Sequence, residues 1–381
     1  MTKNPVITYP SRQSLLPEQN SLVIASGQVM AFFAFDIGYE INLNTARELL
    51  PSAPRQPLTR KKQTPNYLQY PNPPQVVQWA TTDTLLGIAG HITITLFDFG
   101  AISIMYRWAL PAELPLADLP KLSQLLSQRN LEADARVQLQ IIFERMTPAI
   151  IRPSIASLVE DYYIFVIERF TTALQAEQLL QQQGILAQVL RFETQPLSKE
   201  QQLEALSQHI SYYEQDLVLV DWNAAIIYDQ DFDDTLAILE LINVELLEAR
   251  YIDAQLDLSI KNYETLRYKR REWHLLLRAP YRKDIEDLAE LRIESALLGE
   301  RVDNALKLIG DDYLARVHTA ATQRFYLQEW DAAISRKLNI MEDLYQLLTD
   351  RVHSAQGHVL ELIVIFLIVL ELITAIISLR H

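Results

Sequence analysis

Residues 91–108 read HITITLFDFGAISIMYRW, two runs of alternating apolar and polar residues on either side of Asp98-Phe99-Gly100. Alternation with a period of two is the mark of a half-buried strand, and Asp and Gly at this spacing suit a tight connection between paired strands. The stretch therefore predicts an antiparallel hairpin, and with it a sheet at the centre of the body. Upstream, residues 21–42 mix β-branched and aromatic residues around Gly27 and predict one or two strands, followed by a short helix in NLNTARELL. Prolines at 51, 54, 57, 65, 71, 73 and 74 then predict a stiff, extended linker over 51–75. Downstream, a helix is expected around Leu116 to Gln128. The partial alternation of VQLQIIFER (137–145) and LVEDYYIFVIERF (158–170) reads as further strand-like structure. A helical, Gln-rich 171–210 and one more strand or hairpin in DLVLVDWNAAIIYD (216–229) complete the pattern. These segments predict an N-terminal segment 1–20 and an α+β domain with a mostly antiparallel sheet over 20–230.

From Asp231 the pattern changes. No Gly or Pro occurs between residues 231 and 279, and Ala279-Pro280 is the first break. Leu288, Leu291, Ser295, Leu298, Val302, Ala305 and Ile309 follow heptad spacing up to a helix end at Gly310. A second seam runs through Ile334, Leu338, Met341, Tyr345, Leu348, Val352, Ala355 and Val359. Long antiparallel coiled-coil helices over 231–356 are expected, with self-association through the seams. Val359 to Leu379 is a further apolar stretch, which at 1.5 Å per helical residue would span a ~30 Å hydrocarbon core. It is read as a C-terminal transmembrane helix anchoring the chain over 357–381, with Leu362, Phe366, Val369 and Ile373 placed by extending the heptad register and Glu371 falling off that seam. Glu361 and Glu371 weigh against this, since a carboxylate at mid-bilayer costs roughly 2.5 to 3.5 kcal/mol, and a buried core helix is the competing reading.

The formal net charge is −14, which argues against general nucleic-acid binding, because neutralising phosphates needs concentrated Lys and Arg. Arg60, Lys61 and Lys62 form the clear basic cluster, within the Pro-rich stretch. With no cysteine, disulfides, thiolate catalysis and Cys zinc sites are excluded together. The first twenty residues lack the pattern of an export signal or organelle presequence. The seven histidines are scattered and no HExxH, P-loop, GxGxxG or GxSxG element occurs, so no metal, cofactor or catalytic residue is assigned. Asp229, Asp231, Asp233 and Asp234 imitate a calcium loop, but Asp234 occupies the position where such a loop needs Gly. A capped helix start is the better account.

The distinctive polar set lies on the first long helix. At 100° per residue Glu240, Asn243, Leu247 and Arg250 share a face, with Asp253 one turn beyond Arg250. Glu160 and Asp161, with Glu168 on the same strand, could be paired carboxylates for acid–base work. The structural reading joins these groups into internal pairs that bind the helix to the α+β domain. The functional reading makes them a site for a ligand in an enzyme or sensor.

Taken in order, DFGAISIMYRW, LVEDYYIFVIERF, LVLVDWNAAIIYD, LELINVELLEARYID and the tail LELIVIFLIVLELI resemble the "required for meiotic nuclear division"/YagE family, a domain of unknown function, over roughly residues 20 to 380. That resemblance implies an α+β domain, coiled-coil helices and a membrane span, and through its mitochondrial relatives a role beside ribosomes. Lacking a presequence, the chain reads as a bacterial member, with its body on the cytoplasmic side of the inner membrane. The expected function is a tail-anchored scaffold or tether with membrane, homo-oligomer and an unidentified protein, including the ribosome, as partners. The alternative is a membrane-bound enzyme or ligand sensor.

Overall fold

The computed structural model describes residues 22–50, 74–79, 84–269, 293 and 312–378. The segment 1–20, nearly all of the Pro-rich stretch with its basic cluster, the break at Ala279-Pro280, the first heptad seam and the helix end at Gly310 lie outside the described residues. The first half contains β1 (Val23–Asp36), β2 (Glu40–Ile41), α1 (Leu43–Leu49), β3 (Gln75–Trp79), β4 (Thr84–Leu85), β5 (Ile88–Ala89), β6 (His91–Leu96), β7 (Ala101–Ala109) and β8 (Leu114–Pro115). Helices α2 (Leu119–Ser127) and α3 (Leu131–Met146) lead to β9 (Ile150–Ile151) and β10 (Glu160–Phe170). There follow α4 (Ala176–Leu180), α5 (Gln183–Arg191), α6 (Lys199–Ala205), β11 (His209–Ile210), β12 (Leu217–Val220) and β13 (Ala224–Tyr228). Three long helices close the described chain: α7 (Asp233–Lys269), α8 (Asp312–Arg324) and α9 (Leu327–Ser378).

The main sheet runs β11-β12-β13-β10-β1-β7-β6-β3, with β8 added on β1. It is mixed: β10 and β13 are parallel, while the neighbouring pairs β1/β10, β1/β7 and β12/β13 are antiparallel. Parallel neighbours need a crossover, and α4, α5 and α6 lie in the connection between them. The hairpin read from residues 91–108 is present, with Thr95 opposite Ser103 and Leu96 opposite Ile102. At its turn Gly100 has φ +97°, and a Cβ there would overlap the Gly38 carbonyl, while Ile37 N donates to the Gly100 carbonyl at 2.9 Å. Gly100→Ala is expected to cost about 2 kcal/mol through strain and displacement of this contact, read as a lower urea midpoint at unchanged m-value.

β1 sits at the centre and is buried without a break from Val29 to Asp36, as a strand covered on both faces must be. Phe33, Phe35, Ile104, Tyr163 and Phe165 point into one apolar layer, closed by α1, α2, α3, α5 and α6. Met30, Phe32, Met105, Tyr162 and Ile164 point into the other, closed by α7, α8 and the start of α9. Residues 137–145 belong to helix α3 and not to a strand. Asn130 caps α3 by accepting from Ala133 N, and Leu131, Ala135, Leu139, Ile142 and Met146 are buried at helical spacing. The alternation of VQLQ is incidental to a face that repeats every three to four residues.

The coiled-coil expectation changes in its direction. Trp330 packs against both the sheet-side layer holding Leu246 and a second cluster of Ala249, Ile252, Leu256, Ile334 and Met341. Further out, Lys337 Nζ lies 2.7 Å from Asp253 Oδ1 and 2.6 Å from Asp257 Oδ1. The described parts of α7 and α9 therefore leave the sheet side by side in the same sense, not antiparallel. The physical reason is α8, which packs on the sheet between them and obliges the chain to come back to the body before α9 begins.

The C-terminal transmembrane helix is also corrected. Among the described residues no helix is long and apolar enough to cross a membrane. Within α9 the apolar run between Glu361 and Glu371 is Leu362–Leu370. Nine helical residues rise only about 14 Å against a ~30 Å hydrocarbon core. The single-pass anchor and the inner-membrane placement that rested on it fall with it. Phe366, Val369 and Glu371 are exposed on α9, while the side chains of Leu362 and Ile373 lie outside the described set.

Candidate functional site at the sheet–helix junction

Strand register lines up a row of side chains on the face that meets α7: Thr95 on β6 is opposite Ser103 on β7, Ser103 is opposite Ala34 on β1, and Ala34 is opposite Glu160 on β10. Three of these four are polar and buried, a polar row on the face that receives α7. Around it Ala34, Phe97, Phe99, Ala101, Val244 and Leu247 make a compact apolar cluster. The helix crosses with Glu240, Asn243, Leu247 and Arg250 spaced to meet the sheet.

Arg250 Nη1 forms an ion pair with Glu160 Oε1, and Asn243 Nδ2 donates to the Glu160 backbone carbonyl at 3.2 Å. Burial pushes the Glu160 carboxyl up to about 7, against the attraction of Arg250. Glu240 lies over the other end of the row. Its residue is partly exposed, and Oε1 is enclosed. Burial raises this carboxyl to about 7 as well, while the hydroxyls of Ser103 and Thr95 beside it work in the opposite direction.

The six residues singled out in the sequence thus separate. Glu160, Asn243 and Arg250 come together. Glu240 faces the Thr95 and Ser103 hydroxyls. Asp161 is exposed and, being next to Glu160 on a strand, points to the opposite face, so the two adjacent acids do not form a catalytic pair. Asp253 goes to Lys337 on α9. Asp233 and Asp234 occupy the first turn of α7, and Asp229 Oδ1 accepts from Asp231 N at 3.0 Å. Among the described residues no cluster of three or more His, Asp or Glu is arranged to hold a metal ion.

A second charged group escaped the sequence reading. Asp221, at the turn from β12 to β13, is fully buried. Arg324 at the end of α8 donates from Nε to Asp221 Oδ1 at 2.7 Å, and its Nη2 is also paired with that oxygen. Arg191 at the end of α5 brings Nε to 2.5 Å from Oδ2, a charge contact whose angle falls outside that of a hydrogen bond. Glu204 on α6 joins both arginines, at 3.3 and 3.2 Å. Tyr162 OH donates to the Asp221 carbonyl at 3.0 Å and its ring meets Phe325 at 5.0 Å. One signal was available: DLVLVDWNAAIIYD interrupts two apolar strands with an acid where solvent is scarce. Its partners lie 30 and 103 positions away, beyond any local pattern.

The family model that matches is that of the uncharacterized protein MJ0711, N-terminal domain, over residues 26–235. Among curated proteins, the uncharacterized protein MJ0711 of Methanocaldococcus jannaschii is 29% identical over 194 residues, 50% of this chain and 59% of that relative. The chain thus matches less than two thirds of the relative's length. No solved structure matches the chain. The resemblance to the "required for meiotic nuclear division"/YagE family is overturned by this match, and the archaeal relative conflicts with the placement as a bacterial member. The short motifs that carried that resemblance are apolar strand and helix segments, which sheet-and-helix cores of many families require. With more than half of its residues inside the matching model, the chain belongs to the family of the MJ0711 N-terminal domain.

Proposed function

We propose that this protein is an interaction scaffold, a rigid body of sheet and helices that holds out a helical arm made of α7 and α9. The observation that carries this reading is the closed junction under the arm. Glu160, the buried carboxyl best placed for acid–base chemistry, is engaged by Arg250 at its side chain and by Asn243 at its backbone. A general base must be free to reach a substrate proton; here the same groups tie the helix to the sheet. The link to ribosomes was implied only by the replaced resemblance and forms no part of this reading.

Arg250→Ala is expected to leave the Glu160 carboxyl buried beside fewer partners and to lower stability by about 1 to 3 kcal/mol, read as a shift in chemical-unfolding midpoint. Because Arg250 is 37% exposed at its side chain, solvent screening puts the loss toward the lower end. An unchanged midpoint would remove the junction from its structural role and favour the alternative of an enzyme or ligand sensor.

A further inference from the structure

The arm ends in an apolar surface that nothing among the described residues covers. Ile363, Val364, Ile365, Phe366, Leu367, Ile368, Val369 and Leu370 are consecutive on α9 and are each 49–65% exposed. At 100° per residue they sweep more than two full turns, so every side of the helix is apolar. A helix of that kind is stable in water when other helices surround it.

Resting on the scaffold reading, we propose that Ile363–Leu370 is a self-association surface and that its occupant is the same segment of other copies of this chain. Two observations identify the occupant. Ile334, Leu338 and Met341, at heptad spacing, pack against α7 near the body; the same spacing continues to Phe366 and Val369, which are exposed. A seam that takes a helix at one end takes a helix at the other, and identical segments in parallel register bring Phe366 and Val369 of each copy to one axis. Eight large side chains at about half exposure also present an area on the order of the ~800 Å² that each partner gives to a stable interface. A single partner helix covers one side, so all-round exposure calls for three or more copies.

The test compares the full chain with the double variant Phe366→Asp/Val369→Asp by light scattering and sedimentation in detergent-free buffer over a hundredfold concentration range. The wild type should run as three or more chains, and the variant should dissociate at concentrations at least about tenfold higher while keeping the unfolding midpoint of the body. Because the chain has no cysteine, Phe366→Cys supplies a single reporter that should cross-link between copies under mild oxidation, whereas Tyr213→Cys on the body should not. A monomeric wild type overturns the proposal, as does an assembly unmoved by the aspartates. Capture of an uncross-linked monomer by phospholipid vesicles would overturn it too, assigning the apolar run to lipid. None of these outcomes alters the Arg250→Ala measurement, so the scaffold reading is judged separately.

Discussion

Asp221→Ala should be among the most damaging substitutions in the body, lowering stability by about 3 to 5 kcal/mol, the usual loss when one partner of a buried ion pair is removed. The carboxylate is fully buried and meets Arg324 on α8 and Arg191 on α5. Without it, two guanidinium groups are left with Glu204, whose side chain is 45% exposed and so a weaker, solvent-screened partner. The network lies where α8 docks on the body, so the loss should appear there first. Hydrogen exchange of the α8 amides should rise to a greater degree than that of β1. A uniform change in protection, or a loss below about 1 kcal/mol, would show that α8 is held by its apolar contacts through Val317, Ala321 and Phe325 alone.

Glu240→Gln should remove a pH dependence of about 3 kcal/mol. The Glu240 carboxyl sits near 7 in the fold instead of its ordinary 4.5, with burial as the largest cause. Between these values the folded state holds a proton that the unfolded chain has released. The contribution of Glu240 is therefore fully present below about 4.5 and is lost as the pH rises through about 7. Urea midpoints from about pH 5 to about pH 8 should fall more steeply for the wild type than for the variant, and the variant should be the more stable of the two at the alkaline end. Glu160 titrates in the same window, so a residual slope should persist in Glu240→Gln. Parallel curves would mean that Glu240 reaches water or a cation in solution and is not enclosed.

The residues that could be read locally were those whose pattern and burial agree. The β6–β7 hairpin announces itself because Thr93 and Thr95 alternate with Ile92 and Ile94 around a turn that only Gly100 can make. The sheet-facing stripe of α7 was legible for the same reason, since 3.6-residue periodicity places Asn243, Leu247 and Arg250 together whatever they touch. Residues 137–145 misled because four residues of alternation cannot outweigh the buried positions of α3, which are spaced over sixteen residues. The apolar tail misled because its composition matches a hydrocarbon-spanning helix, while Glu361 and Glu371 confine the uninterrupted run to nine residues and no helix among the described residues is long and apolar enough to cross a membrane.

By itself, then, the amino-acid order determined local periodicities, the turn at Gly100, the absence of thiol chemistry and the polar face of α7. Tertiary structure decided the pairing: that Arg250 meets Glu160 while Asp253 meets Lys337, that Asp161 lies on the far face, and that Asp221 collects arginines from α5 and α8. Periodicity is a property of neighbours along the chain and survives in one dimension. Which carboxylate meets which cation depends on sheet order, on the parallel β10–β13 crossover and on the return of α8 to the sheet, and those are set by the simultaneous burial of two apolar layers.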